Sequence, residues 1–109
     1  MIGWLQKKGD RGPVKLWKQR YFIEVTDPDS VMYFEKNPGP PEANGQYSKE
    51  SYLGEIILDR VVNVSSTPSD PTCFDVWSLH GRTYKLKAPT IQEKVLWMNV
   101  FNKKVFRRD

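Results

Sequence analysis

Up to Pro89 this chain is a succession of short segments rich in aromatic and β-branched residues, cut apart by turns that carry glycine, proline and aspartate. Segments punctuated in this way belong to a sheet of consecutive antiparallel strands. Seven strands are expected: Gly3 to Lys8, Trp17 to Thr26, Ser30 to Lys36, Ser51 to Leu58, Arg60 to Ser65, Thr72 to Leu79 and Arg82 to Ala88. The breakers between them are Gly9, Gly12 and Pro13; Asp27-Pro28-Asp29; Asn37-Pro38-Gly39-Pro40-Pro41; Pro68 to Pro71; and His80-Gly81. The stretch from Asn37 to Lys49 is long and proline-rich, and reads as an exposed loop with little regular structure.

After Pro89 the period changes. Thr90 suits a helix N-cap, Glu93 completes a capping box, and Ile91, Val95, Trp97, Met98, Phe101 and Val105 follow at helical spacing. A helix is expected over roughly residues 90–106. At about 100° per residue those six, with Phe106, share one half of its circumference, which needs a hydrophobic floor that the sheet supplies. Leu96 and Val100 fall on the other half, facing solvent. They are either scattered surface residues or a candidate contact for another protein.

Composition bounds the rest. With 109 residues, 39% of them hydrophobic, the chain suits one mainly-β domain, residues 1–109, with a modest core. Its single cysteine, Cys73, can form no internal disulfide and no redox pair, which suits a reducing compartment. No apolar run approaches the roughly 20 residues needed to span a bilayer, and Met1-Ile2-Gly3-Trp4 lacks the layout of a signal peptide. A soluble, cytoplasmic protein is expected, and a larger parent chain is left open. One histidine, carboxylates without a pairing motif and the absence of a phosphate-cradling Gly-Lys-Ser/Thr loop argue for a non-enzyme with no metal and no cofactor.

The charge is uneven. The first twenty residues hold six bases (Lys7, Lys8, Arg11, Lys15, Lys18, Arg20) against one acid, Asp10, while the remainder carries eleven bases and twelve acids. A local excess of this kind suits a partner that carries phosphates. Strand alternation puts Leu5 and Lys7 on one face of the first strand, and Lys18, Arg20 and Phe22 on one face of the second. The opposite face of the second strand, with Trp17, Tyr21, Ile23 and Val25, is the more apolar, so the pattern leaves open which face is inward. Trp4, Trp17 and Trp77 read as packing within a sandwich, and Trp97 as the anchor of the helix.

Taken in order, Gly3-Trp4-Leu5-Gln6-Lys7, Leu16-Trp17-Lys18-Gln19-Arg20-Tyr21-Phe22, Val31-Met32-Tyr33-Phe34, Gly54-Glu55-Ile56, Phe74-Asp75-Val76 and the closing helix with Trp97 resemble a pleckstrin homology (PH) domain over essentially the whole chain. The resemblance implies a bent seven-stranded antiparallel sandwich or partial barrel, capped at one end by the C-terminal helix. In ligand-binding members the open end holds phosphoinositide headgroups. The residues that the family uses correspond here to Lys7, Lys18, Arg20 and Tyr33, with Arg11, Lys15 and His80 as candidate further phosphate contacts. A lysine offers a compact charge, an arginine a planar fork for two phosphate oxygens, and a tyrosine a neutral donor. Asp10 and Pro13 depart from the best binders by adding a negative charge and removing an N–H in the first loop.

The reading is therefore a peripheral membrane-recruitment and signalling module for a phosphoinositide, foremost a 3-phosphorylated inositol lipid, or for another anionic membrane lipid. The alternative is a protein-interaction module that shares the fold and uses Leu96 and Val100 or the proline-rich loop. Nucleic-acid binding ranks last, because the charge cluster is short and no base-stacking platform accompanies it.

Overall fold

The computed structural model describes residues 1–9 and 15–105. Seven antiparallel strands form one sheet: β1 (Ile2–Lys8), β2 (Trp17–Val25), β3 (Ser30–Phe34), β4 (Tyr52–Ile57), β5 (Val61–Ser66), β6 (Cys73–Ser78) and β7 (Thr83–Lys87), followed by the helix α1 (Ile91–Phe101). The spatial order is β4-β3-β2-β1-β7-β6-β5, so the first strand pairs with both the second and the last. Leu5, Phe22, Val31 and Ile56 from one half share a core with Val61, Phe74, Val76 and Leu86 from the other, so the sheet curls over on itself. Strand boundaries lie within two residues of the expected ones, and short 3-10 turns at Leu58–Arg60 and Leu79–Gly81 join β4 to β5 and β6 to β7.

The register settles which face is inward. Gly3 lies opposite Phe22, Leu5 opposite Arg20 and Lys7 opposite Lys18, while Phe22 lies opposite Tyr33. Leu5, Phe22 and Tyr33 are buried in the core, so Lys7, Lys18 and Arg20 belong to the inner face. Tyr21 and Ile23 point the other way. Ile23 and Phe34 are nevertheless fully buried, because the long loop lies across them. The rings of Tyr47 and Tyr52 stand 6.4 and 5.8 Å from Phe34, and Pro40 and Pro41 line a hollow with Ile2, Tyr21 and Ile23. The loop has little regular structure, as expected, but it also serves as a second cover for half of the sheet.

Three expectations change. The tryptophans Trp4, Trp17 and Trp77 are not packed inside the sandwich; all are partly exposed, because alternation turns them outward beside the inward-facing Leu5, Lys18 and Val76. The helix ends at Phe101 rather than near residue 106, with the Asn102 amide bonded to the Met98 carbonyl; Phe106 lies outside the described residues. The helix is also rotated by roughly a quarter-turn from the orientation expected. Val100, expected to face solvent, is buried in the core, whereas Ile91 and Val95, expected inward, are 53% and 50% exposed.

The cause is that apolar residues encircle α1, so periodicity hardly favours one face and the bulkiest side chain decides. Trp97 is wholly buried, with Phe22 at 6.1 Å and Phe101 at 6.0 Å, and Phe101 reaches Phe74 at 6.1 Å. The N-cap forms as expected: the Thr90 hydroxyl accepts the Glu93 amide at 3.1 Å. Beyond the helix, Lys103 pairs with Glu24, and Lys104 with Asp29 at 3.2 Å and Asp59 at 3.5 Å.

Candidate anion-binding site

Trp97 lies beneath Gly3, at the start of β1, and fills that end of the core. Toward the other end of β1 and β2 the inner face changes character within two rungs. The pair Gly3 and Phe22 is followed by Leu5 and Arg20, then by Lys7 and Lys18. Two lysines facing each other across neighbouring strands repel, so this arrangement costs stability until an anion lies between them.

Aromatic rings hold the cations in place. The Lys7 ammonium stands 5.4 Å from the centre of the Tyr33 ring and 5.9 Å from that of Tyr84, and the Arg82 guanidinium lies 4.6 Å from Tyr84. Each such contact is worth about 0.5–1 kcal/mol at an exposed site. Tyr33 in turn stacks on Phe22 at 5.5 Å. Its hydroxyl fills a slot made by Gly54, where a Cβ would come within 2.6 Å of the oxygen. Glycine is required there for space, not for its backbone freedom.

Lys18 and Arg20 do not pair with Glu24 or Glu35 among the described residues. Glu24 is engaged by the Met1 amine at 2.8 Å and by Lys103, and Arg20 donates to the Gln19 carbonyl at 3.2 Å. Burial opposes ionisation of the Glu24 carboxyl, but the bonds from Lys103 and the amine outweigh it and keep its pKa below the ordinary carboxylate value. Among the described residues, neither cation of β2 is held by an acidic side chain.

The structure thus brings Lys7, Lys18, Arg20 and Tyr33 onto one face at one end. Arg11 lies outside the described residues, as do Asp10 and Pro13. Lys15 is exposed and lines a different cleft, on the outer face, with Lys8, Gly9, Thr83 and Lys85. His80 is exposed at the tip of the turn between β6 and β7, with a left-handed φ of 69°. Leu96 is exposed, but Val100 is in the core and offers nothing to a partner.

Tyr84 and Gly54 have no place in the sequence reading of the site, whereas Arg82, Lys85 and Lys87 of the seventh strand are candidates that spacing alone could not place. Tyr84 shares the inner face of β7 with Leu86, which pairs with Lys7, so strand alternation carried the signal for it. Lys85 and Lys87 turn outward and pair with Asp75 at 3.4 Å and Asp70 at 3.3 Å. Hydrogen bonds from the Thr72 amide and hydroxyl hold the Asp70 carboxyl far below the usual carboxylate range. Burial, then the contact with Asp70, pushes the Cys73 thiol up. Among the described residues, no group of histidine, cysteine and acidic side chains could hold a metal ion.

A family model described as PH domain matches residues 1–106. The chain is similar to the C-terminal PH domain of pleckstrin solved in complex with D-myo-Ins(1,2,3,4,5)P5, at 28% identity over 94% of each chain and a TM-score of 0.70. It is similarly close to the same domain in complex with D-myo-Ins(1,2,3,5,6)P5, at 28% identity over 96% of this chain and 93% of that one, TM-score 0.73. The PH domain of human TBC1 domain family member 2 shares the fold at 23% identity, covering 98% of this chain and 81% of that chain, with a TM-score of 0.72. No curated protein matches the chain.

Proposed function

The chain belongs to the PH domain family, whose members are non-catalytic binding modules, and from that premise we propose that it attaches to cytosolic membrane faces by binding phosphoinositide headgroups through Lys7, Lys18, Arg20 and Tyr33. The observation that carries this reading is the cross-strand pair Lys7 and Lys18, with the Lys7 ammonium 5.4 Å from the Tyr33 ring centre. A phosphate entering between the two ammonium groups turns their repulsion into two charge-assisted bonds, and Arg20 adds a planar fork one rung deeper. The inositol phosphates bound by the pleckstrin domain, 28% identical to this chain, support the ligand class. Within that class a 3-phosphorylated inositol lipid is the preferred headgroup. No helix among the described residues is long and apolar enough to cross a membrane, so attachment through the headgroup site is peripheral.

The test is binding to vesicles carrying each phosphoinositide in turn, beside phosphatidylserine vesicles of matched surface charge, for the native chain and a Lys18→Ala/Arg20→Ala variant. A preference for one lipid at physiological salt, lost in the variant, is expected. Binding that follows surface charge alone refutes a defined pocket. Protein interaction is a second reading, favoured by the exposed cluster Ile91, Val95 and Leu96 on α1. It requires that Leu96→Ser abolish capture of a partner while the basic residues are dispensable.

A further inference from the structure

The sheet has two open edges, and they differ in chemistry. β4 forms one, with the exposed Glu55 upon it, held by the Ser30 hydroxyl at 3.0 Å. β5 forms the other and, among the described residues, pairs with β6 alone. It begins the longest uncharged run in the chain, nine residues at positions 61–69, in a protein of net charge +4. A bare edge offers a row of backbone donors and acceptors to another strand, and the usual deterrents are charge, proline or a bulge. β5 carries neither charge nor proline. Its register shift lies between Val61 and Asn63, so the rungs from Asn63 to Ser66 run regularly.

Packing keeps that edge accessible. Val61 is buried and Val64 packs against the core, so both face inward, and the extra residue of the bulge turns Val62 and Asn63 outward, where both are exposed. α1 meets β5 from the inner side, where the Ser66 hydroxyl lies 3.7 Å from the Met98 sulfur. Trp77, opposite Asn63, is 42% exposed, and Asp75, opposite Ser65, is engaged by Lys85 at 3.4 Å. The border itself is neutral, with Val62 and Trp77 as its apolar part.

The partner that fits is a second copy of this chain. Copies of a protein with net positive charge repel one another across most of their surface, and an uncharged edge is where they can meet. A strand edge also complements itself. Two copies related by a two-fold axis run antiparallel, and side chains that face each other across the join must lie on the same face of the sheet. Pairing centred on Val64 satisfies this: Val64 meets Val64 of the second copy on the inner side, and Asn63 meets Ser65 of the second copy, twice, on the outer side. We propose that β5 is a self-association edge, on which a second copy adds its own β5 in this register. The contact spans only about five rungs, short of the roughly 1,200 Å² at which stable interfaces begin, so the dimer is transient, with a dissociation constant on the order of 0.1–1 mM. It uses no residue of the inner anion site and stands apart from the headgroup reading.

The experiment is sedimentation velocity on the full chain from about 0.01 to about 1 mM, with backbone amide shifts recorded over the same range, for the native protein, Asn63→Lys/Ser65→Lys and Asn63→Lys/Ser65→Glu. The native sedimentation coefficient is expected to rise with concentration while the amides of residues 62–66 move and those of Lys7, Lys18 and Tyr33 stay still. The first variant sets two like-charge pairs across the join and should associate about tenfold more weakly; the second sets two opposite-charge pairs there and should associate at least as tightly as the native chain. Both substitutions lie on the outer face, and the native amide shifts decide by themselves if either variant fails to fold. A native chain that stays monomeric at about 1 mM overturns the proposal and leaves the edge to an extended segment of another protein. Equal losses in the two variants, or concentration-dependent shifts centred on Ile91, Val95 and Leu96 of α1, overturn it as well.

Discussion

The two ends of the sheet are built on the same inner face and by the same alternation, yet one end is filled with rings and the other with cations. Beneath Gly3, Trp97 and Phe101 close the core; two rungs along, Lys7 faces Lys18 and Tyr33 stands under the Lys7 ammonium. An inward position in a small sheet is thus no guarantee of an apolar side chain. Where the helix packs, the inner face stabilises the fold. Where no described element covers it, the same face carries like charges that repel one another.

Substitutions should separate the two ends. Trp97→Ala leaves a large void beneath β1 and should cost about 3–5 kcal/mol by denaturant unfolding, enough to compromise a domain of this size. At the other end, Arg20→Ala should leave unfolding almost unchanged while weakening headgroup binding by about 1.5–3 kcal/mol, measured by calorimetry. Should Arg20→Ala unfold the domain instead, the division between the ends fails.

Gly54→Ala sharpens the contrast. It should force the Tyr33 ring out of its slot and cost about 1–3 kcal/mol of stability by denaturant unfolding, with weaker headgroup binding and a shift visible in the Tyr33 ring resonances. Leu96→Ser, outside both ends, should change stability by no more than about 0.5 kcal/mol.

One part of the acid sensitivity lies outside both ends. The Asp70 pKa is depressed by its bonds to Thr72, so its contribution is present above the ordinary carboxylate range and is lost only as pH falls toward the depressed folded value. Asp70→Asn should remove this part of the acid sensitivity, read as a flatter dependence of the melting temperature on pH.

Much of this fold was legible because period-two strands, breakers and a capping box each leave a local mark. The face assignments were not. Tyr21, Ile23 and Phe34 look like core, and Ile23 and Phe34 are indeed buried, but by a loop whose docking has no periodic signature. The rotation of α1 was hidden for a related reason: with Ile91, Val95, Leu96 and Val100 around its circumference, only the fit of Trp97 selects the buried side. At the candidate site, the local charge excess pointed to Lys7, Lys18 and Arg20 among other bases, and only the family resemblance set these three apart and added Tyr33. Tyr84 and Arg82 come from a strand distant in sequence, and Gly54 matters through space left empty, which no residue pattern announces.

That empty space ties two positions together during sequence change. Any side chain gained at position 54 collides with Tyr33, and trimming only the hydroxyl does not help, because the ring carbon that bears it would still be 2.9 Å from the new Cβ. In a library randomised at both positions, glycine should accompany an aromatic at 33, and larger residues at 54 should survive only beside a small one. Tyr33 can be lost alone, but once position 54 has grown the ring cannot return.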